Sequence, residues 1–443
     1  MKSTSNKNLN PARILVSGYL IVIAFGTLLL MLPLASTDGN SLGFIDSLFT
    51  STSATCVTGL IVVNTEAAFT VFGQTVILFL IQIGGLGIMS MSTLVALLIG
   101  RRLSLKERML VQQDLNNLKL VNVISMVKYV FCFTIVIEFT GALALYFRLS
   151  KDRSTEKAVY QAVFHSISAF NNAGFDVFGN SLESFTSDAV INSTIMILII
   201  LGSIGFAVLL EVYSFRKIRR FSIQTRFAVK MSLILLVLGF VLIYAMEWNN
   251  KATIGGLDLK GSIFSVAFLS VTPRTAGFNT VPTSALKDST LFLLMLFMFI
   301  GASPGSTGGG IKTSTFGVLL LAVKQTLMGK KDIELEKRRL EENIVMKCLA
   351  ITLLATGLVF FISICLTTSE NMKFLPILFE TVSAFGTVGL STGITSELSS
   401  FGKVLITLTM FAGRVGPLTL VLSFSQLQTQ PKIRYPVEKI MIG

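Results

Sequence analysis

Four short segments of this chain share one pattern. They are Ser53-Ala54-Thr55-Cys56-Val57-Thr58-Gly59, Ser168-Ala169-Phe170-Asn171-Asn172-Ala173-Gly174, Val271-Thr272-Pro273-Arg274-Thr275-Ala276-Gly277 and Ser383-Ala384-Phe385-Gly386-Thr387-Val388-Gly389. Their last glycines are spaced by 115, 103 and 112 residues, and each segment lies between two apolar stretches. Such loops offer main-chain oxygen as their chief polar group, and rings of backbone carbonyls can replace the water shell of a cation. A bare ion in hydrocarbon would cost on the order of tens of kcal/mol. The expected ligands are the carbonyls of Cys56, Val57, Thr58 and Gly59, of Asn171, Asn172, Ala173 and Gly174, of Arg274, Thr275, Ala276 and Gly277, and of Gly386, Thr387, Val388 and Gly389. A closing glycine keeps a side chain out of the path and permits backbone angles other residues avoid. Thr55 and Thr387 offer hydroxyls that serve equally well as ligands or as packing. Arg274 is unexpected in a cation site, so its side chain is expected to turn away from the axis and pair behind it.

A second cluster lies about 24 residues after the third glycine, within Gly301-Ala302-Ser303-Pro304-Gly305-Ser306-Thr307-Gly308-Gly309-Gly310. Proline costs about 3 kcal/mol in a helix interior and glycine nearly 1, so this run opens an apolar span into a loop. The segment Gly301–Lys312 is expected to act as a movable gate, with Gly301, Pro304, Gly305, Gly308, Gly309, Gly310 and Lys312 as its parts. It does not fit a phosphate cradle, because Ile311 separates Gly310 from Lys312 and no strand precedes it. Arg414 is the other anomaly, a cation in the middle of the last span. It is expected to face the pore or the loop, or else to pair with Glu138 or Glu380.

Other chemistry has little material. The one histidine is His165, and Cys56, Cys132, Cys348 and Cys365 have no paired spacing, which argues against zinc sites and disulfide frameworks. The spans offer Glu138 and no base to converge with it, so an intramembrane enzyme is not expected, nor a cofactor bound by this chain. A scaffold would not need four matched polar loops.

The elements that must hold these segments are membrane helices. Of 443 residues, 52% are hydrophobic and 14% charged. The windows Ile14–Ala35, Ala68–Gly100, Ala189–Leu210, Ser289–Ile311 and Cys348–Ser369 carry no charge, and about 20 apolar residues suffice to cross a bilayer. Tyr129–Phe147, Met231–Met246 and the run from Val404 bring the expected spans to eight. The net charge of +13 is not a nucleic-acid signature. With the N-terminus cytoplasmic, 25 of the 37 Lys and Arg fall inside, in clusters such as Arg101, Arg102, Lys106, Arg108, then Arg216, Lys217, Arg219, Arg220, then Lys330, Lys331, Lys337, Arg338, Arg339. That is the positive-inside bias of a multi-pass protein with both termini in the cytoplasm. Residues 1–12 are polar and no cleavable leader is expected.

The layout of span, short re-entrant segment and span recurs over residues 12–100, 122–215, 226–325 and 344–428, with a tail over 429–443. The re-entrant segments Phe44–Ala54, Val159–Ala169, Ser262–Thr272 and Pro376–Ala384 are too short to cross. Phe49, Phe164, Phe268 and Phe379 are read as their packing residues, and Asp46, Asp176 and Glu380 as charges near the outer mouth. Gly84-x-x-Gly87, Gly202-x-x-Gly205 and Gly413-x-x-Gly416 read as close helix packing by small residues, and Gly301-x-x-Pro304 departs from it. The fold expected is all-α and integral to the membrane, with eight transmembrane helices in four span–pore-loop–span repeats around a pseudo-fourfold central pore.

These residues resemble the Trk/Ktr/HKT superfamily of potassium transporters over nearly the whole chain, and within it the membrane subunits of bacterial Ktr systems. The resemblance rests on the fourfold layout, the four glycine segments, the loop in the third repeat and the arginine in the last span. It implies one selectivity glycine per repeat, Gly59, Gly174, Gly277 and Gly389, with potassium held there. Glycine rather than serine at position 59 points to potassium over sodium; a sodium or less selective monovalent cation transporter is the alternative. It also implies a homodimer in a bacterial plasma membrane, sodium dependence, and a cytosolic ring of RCK-type regulatory subunits that bind ATP or ADP. The stretch Asp332–Glu342 is then a docking surface, and the tail Gln428–Gly443 part of a dimer contact.

Overall fold

The computed structural model describes residues 11–88, 90, 91, 123–215, 219–330 and 332–424. The basic residues Arg101, Arg102, Lys106, Arg108, Arg216 and Lys217 and the tail Gln428–Gly443 lie outside the described residues. Among the described residues the regular structure is helical apart from one hairpin of two-residue strands, β1 (Glu334–Leu335) against β2 (Arg338–Arg339). That hairpin occupies the stretch expected as a docking surface. Gln325 holds its first strand at Glu334, accepting from Glu334 N at 2.6 Å and donating to Glu334 O at 2.7 Å.

Four long helices are each apolar and long enough to cross a membrane: α1 (Pro11–Leu30), α5 (Val123–Leu149), α9 (Ile223–Glu247) and α13 (Glu342–Ser369). At about 1.5 Å per residue, their 20 to 28 residues match or exceed the roughly 30 Å of hydrocarbon. Their outer faces expose Ile21, Leu28, Phe139, Leu233, Leu353 and Phe361, apolar surface of the kind that faces lipid.

Each long helix is followed by a shorter one: α2 (Phe44–Thr55), α6 (Thr155–Phe170), α10 (Leu259–Val271) and α14 (Phe374–Gly386). These coincide with the expected re-entrant segments and overrun them by one to four residues at most ends. They are the buried centre. Phe49, Phe164, Phe268 and Phe379 are all essentially inaccessible. In α2 the whole run Phe49–Thr55 is buried although five of its seven residues are hydroxylic. Hydroxyls suit this place because they bond to neighbouring backbone: Ser51 donates to Ile23 O at 2.8 Å, Ser166 to Glu138 O at 2.6 Å and Ser270 to Leu236 O at 2.6 Å. Each acceptor lies three residues before a long-helix glycine, Gly26, Gly141 or Gly239, where a Cβ would strike that same serine.

The remaining helices correct the expectation of unbroken second spans in the first, second and fourth repeats, while the break expected in the third is present. The window Ala189–Leu210 is two helices, α7 (Ala189–Ser203) and α8 (Phe206–Tyr213), bent by 99°. Helix α4 (Val71–Leu86), following the one-turn α3 (Thr65–Ala68), stops at Gly87 with φ +84°. Helices α11 (Asp288–Phe299) and α12 (Thr313–Leu327) flank the glycine-rich loop. Helix α15 (Ser400–Val415) stops at Gly416, φ +89°, before α16 (Pro417–Phe424). Gly205 has φ +99°. The second glycine of each Gly-x-x-Gly pair therefore breaks its helix. The first does serve close packing: a Cβ at Gly84, Gly202 or Gly413 would collide with the carbonyl of Thr55, Phe170 or Phe385.

Candidate functional site: a ring of four glycine segments

At the C-terminus of each short helix the chain turns into one of the four segments. The turn is fixed locally. Thr58 N, Ala173 N and Val388 N donate to the carbonyls of Ser53, Ser168 and Ser383 at 2.8, 2.8 and 2.9 Å, and Ala276 N to Thr272 O at 3.0 Å. The same hydroxylic residues hold the exit. Ser53 and Ser383 accept from Gly59 N and Gly389 N, each at 3.1 Å; Ser168 and Thr272 donate to the carbonyls of Phe175 and Phe278 at 2.7 and 2.6 Å. Within each segment φ is positive at the closing glycine and two residues earlier: Val57 58°, Asn172 59°, Thr275 66° and Thr387 49°.

The segments come together in chain order. A Cβ on Gly59 would meet Ala173 O and lie 3.0 Å from Gly174 Cα; one on Gly174 would lie 2.9 Å from Ala276 O and 3.0 Å from Gly277 Cα. One on Gly277 would lie 2.6 Å from Val388 O and 3.3 Å from Gly389 Cα; one on Gly389 would meet Thr58 O and lie 3.1 Å from Gly59 Cα. The ring closes, and each of its four glycines abuts the carbonyl preceding the next. Cys56, Val57, Thr58, Asn171, Asn172, Ala173, Arg274, Thr275, Ala276, Gly386, Thr387 and Val388 are buried around it. Arg274 does turn away: its guanidinium donates to Ser232 O of α9 at 2.6 Å, a main-chain partner rather than an acid. Thr55 Oγ1 is buried with no hydrogen-bond partner among the described residues, whereas Thr387 Oγ1 accepts from Gly309 N at 3.1 Å and Thr275 Oγ1 is reached by Asn172 Nδ2 at 3.4 Å.

The loop between α11 and α12 lies against the ring on the side of these two threonines. A Cβ on Gly308 would strike Thr275 Oγ1, and one on Gly309 would strike Thr387 Oγ1. Elsewhere the loop is tied to the break between α7 and α8: Ser303 N donates to Ser203 O at 3.0 Å, and Phe206 N to Gly305 O at 2.8 Å. Lys312 folds back, its Nζ donating to Gly308 O at 2.6 Å. Arg414 donates to Thr307 O in the loop and to Gly84 O in α4, with Tyr19 OH 3.4 Å from its Nε. Its alternative partners are engaged elsewhere, Glu138 with Gln82 and Asn171, Glu380 with Thr395. A cavity of about 230 Å³ is lined by Gly305, Ser306, Gly308, Gly310, Lys312 and Arg414 among others, and another of about 230 Å³ opens at Gly59 and Gly389.

The three carboxylates expected near the outer mouth are committed to structure instead. Asp46 pairs with Lys403 at 2.7 Å, Glu380 is fully buried, and Asp176 caps the N–H groups of Phe178, Gly179 and Ser181. Burial pushes the Asp176 carboxyl up, against the lowering effect of those three bonds. His165 is buried, stacked on Phe178 at 3.7 Å and bonded to Gln161 O at 2.7 Å, a packing role. Sequence reasoning missed the contributions of Ser53, Ser168, Thr272 and Ser383, although the recurrent hydroxyl at or beside the head of each segment carried the signal.

The profile of the family TrkH, described as cation transport protein, matches residues 4–435. The Ktr system potassium uptake protein B of Bacillus subtilis (strain 168) is 43% identical, over 98% of this chain and 97% of that protein. The potassium/sodium uptake protein NtpJ of Enterococcus hirae is 34% identical, over 100% and 99%. The crystal structure of the potassium transporter TrkH from Vibrio parahaemolyticus superposes with a TM-score of 0.76 at 18% identity, covering 96% of this chain and 86% of that one.

Proposed function

We propose that this chain, which belongs to the TrkH family of cation transport proteins, carries potassium across the membrane through a pore whose narrowest part is the ring of four glycine segments. The family is one of transporters, so the chain is not an enzyme. The observation that carries the reading is the closed contact of Gly59, Gly174, Gly277 and Gly389. Segments more than 100 residues apart in sequence meet through their backbones, and each of the four glycines abuts a main-chain oxygen of the next segment.

In this reading the repeats 12–100, 122–215, 226–325 and 344–428 surround the ring with pseudo-fourfold symmetry, and the four long helices and four interrupted ones make eight crossings. The carbonyls of residues 56–59, 171–174, 274–277 and 386–389 take the place of the ion's water shell. The four short helices end at the ring, and the negative end of each dipole favours a cation by about 0.3–1 kcal/mol. The loop 301–312 is the gate, held by Arg414. An interior-negative potential drives uptake with about 2.3 kcal/mol per 100 mV. The names of the relatives support a potassium uptake system of the Ktr type; in this reading it is a homodimer in the plasma membrane with cytoplasmic termini, sodium-dependent, and opened by a cytosolic RCK partner that carries the ATP or ADP.

The test is potassium-dependent growth of an uptake-deficient host, with rubidium uptake into liposomes. Each of Gly59, Gly174, Gly277 and Gly389 is replaced singly. Rescue by the parent protein and altered ion preference in the variants is expected. A protein that folds but takes up no rubidium refutes the reading, and uptake with sodium preferred moves it to a sodium carrier of the same architecture.

A further inference from the structure

The second segment of the ring has an anchor unlike the other three. Asn171 occupies the position three residues before its glycine, where the other segments carry Cys56, Arg274 and Gly386. Its Nδ2 lies 2.9 Å from Glu138 Oε1, 2.9 Å from Gln82 Oε1 and 2.9 Å from Ile167 O. Gln82 Nε2 in turn reaches Glu138 Oε2 at 3.4 Å. The three side chains come from α4, α5 and the end of α6, so one point behind the ring joins two repeats to a ring segment. Glu138 is largely buried at membrane depth, and no Lys or Arg pairs with it among the described residues. A carboxyl in that position costs several kcal/mol and commonly marks a functional role.

Packing alone does not require it. Helices α5 and α6 are already joined by Ser166 donating to the main-chain oxygen of Glu138, and by the close crossing at Gly141. The Glu138 carboxyl instead bonds a ring residue. The neighbouring Asn172, in left-handed backbone, donates to Arg274 O at 3.1 Å and so passes the position of the second segment to the third.

We propose that Glu138 is a positioning residue for ion discrimination: through Asn171 it fixes the carbonyls of the second ring segment, and its loss relaxes selectivity. The proposal rests on the transport reading above and adds a residue outside the ring to it.

The experiment measures rubidium and sodium uptake into liposomes, per amount of folded protein, for the parent, Glu138→Ala, Glu138→Gln and Gln82→Leu. Glu138→Ala should lower the rubidium-to-sodium ratio by roughly threefold to tenfold, the scale of one lost ordinary hydrogen bond. Glu138→Gln keeps an acceptor oxygen for Asn171 and should restore most of the ratio. Gln82→Leu leaves Glu138 in place, removes its second partner, and should shift the ratio the same way. An unchanged ratio in folded Glu138→Ala overturns the proposal. So does a Glu138→Gln shift as large as that of alanine. If Glu138→Ala does not fold, an unchanged ratio in Gln82→Leu overturns it. Absence of rubidium uptake by the parent protein refutes the transport reading itself, a result distinct from an unchanged ratio.

Discussion

Replacing Arg414 by alanine should raise rubidium flux, and the structure sets the size of the effect. The guanidinium holds Thr307 O in the loop and Gly84 O in α4. Only the first bond restrains the loop against the ring. A hydrogen bond to a charged group is worth about 1.5–3 kcal/mol. If the loop exchanges between a closed and an open position, loss of that bond raises the open population by roughly tenfold to a hundredfold while closed remains the majority. The lower end applies, because Arg414 is half-buried and the loop keeps its ties to Ser203, Phe206 and Thr387. Removing a positive charge from the cavity also favours a passing cation, so both effects share a sign. Arg414→Lys separates them: it keeps the charge and reaches one carbonyl. The assay is rubidium uptake into liposomes, normalised to protein that remains monodisperse on size exclusion. Flux in folded Arg414→Ala equal to or below that of the parent would refute the gating argument. A lysine variant as fast as the alanine one assigns the effect to the tether, and one as slow as the parent shows that the charge with one carbonyl bond suffices.

Deleting Ser303–Gly310 removes the loop's contacts with Thr275 and Thr387 and should raise flux more than Arg414→Ala does; folded protein with reduced uptake would count against it. Gly59→Ser places a side chain against Ala173 O in a residue with φ +88°, and should admit more sodium relative to potassium, read as the ratio of uptake rates. Gly413→Ala drives a Cβ into Phe385 O, an overpacking cost of about 1–3 kcal/mol, and should lower the melting temperature in detergent. Gly357→Ala meets nothing within 4 Å in a helix and should leave that temperature unchanged or raise it slightly through the less flexible unfolded chain.

The parts of this architecture that sequence displays are those written in composition. The loop at 301–312 is legible because five glycines and a proline in ten residues are incompatible with an apolar helix. The ring segments are legible because the same polar pattern interrupts hydrophobic sequence four times. Arg414 stands out for its charge, and a loop carbonyl was one of its expected partners. Its other partner, Gly84 O, comes from a helix 330 residues away, a distance no local pattern reports. The breaks at Gly87, Gly205 and Gly416 were hidden for another reason: Gly-x-x-Gly suits close packing as well as a break. One glycine costs a helix only about 1 kcal/mol, so tertiary contacts decide between them. The carboxylates failed likewise. Asp46 looks like a free mouth charge until Lys403, 357 residues on, is placed 2.7 Å from it.

The least legible feature is also the most telling. Val57, Asn172, Thr275 and Thr387 all have positive φ, yet only asparagine among these types adopts it with any ease. For valine and threonine it costs on the order of 1–3 kcal/mol each, strain that persists only where the surroundings over-determine the backbone. Here they do: a carbonyl five residues back, or four in the third segment, holds the following N–H, a hydroxyl at the segment's head holds its exit, and the next glycine blocks lateral movement. A site whose ligands were side chains would not need this, since side chains can reach inward from relaxed backbone. Positive φ repeated at four equivalent positions, with strain at three of them, is what the proposed arrangement requires of a main chain whose own carbonyls face a common centre.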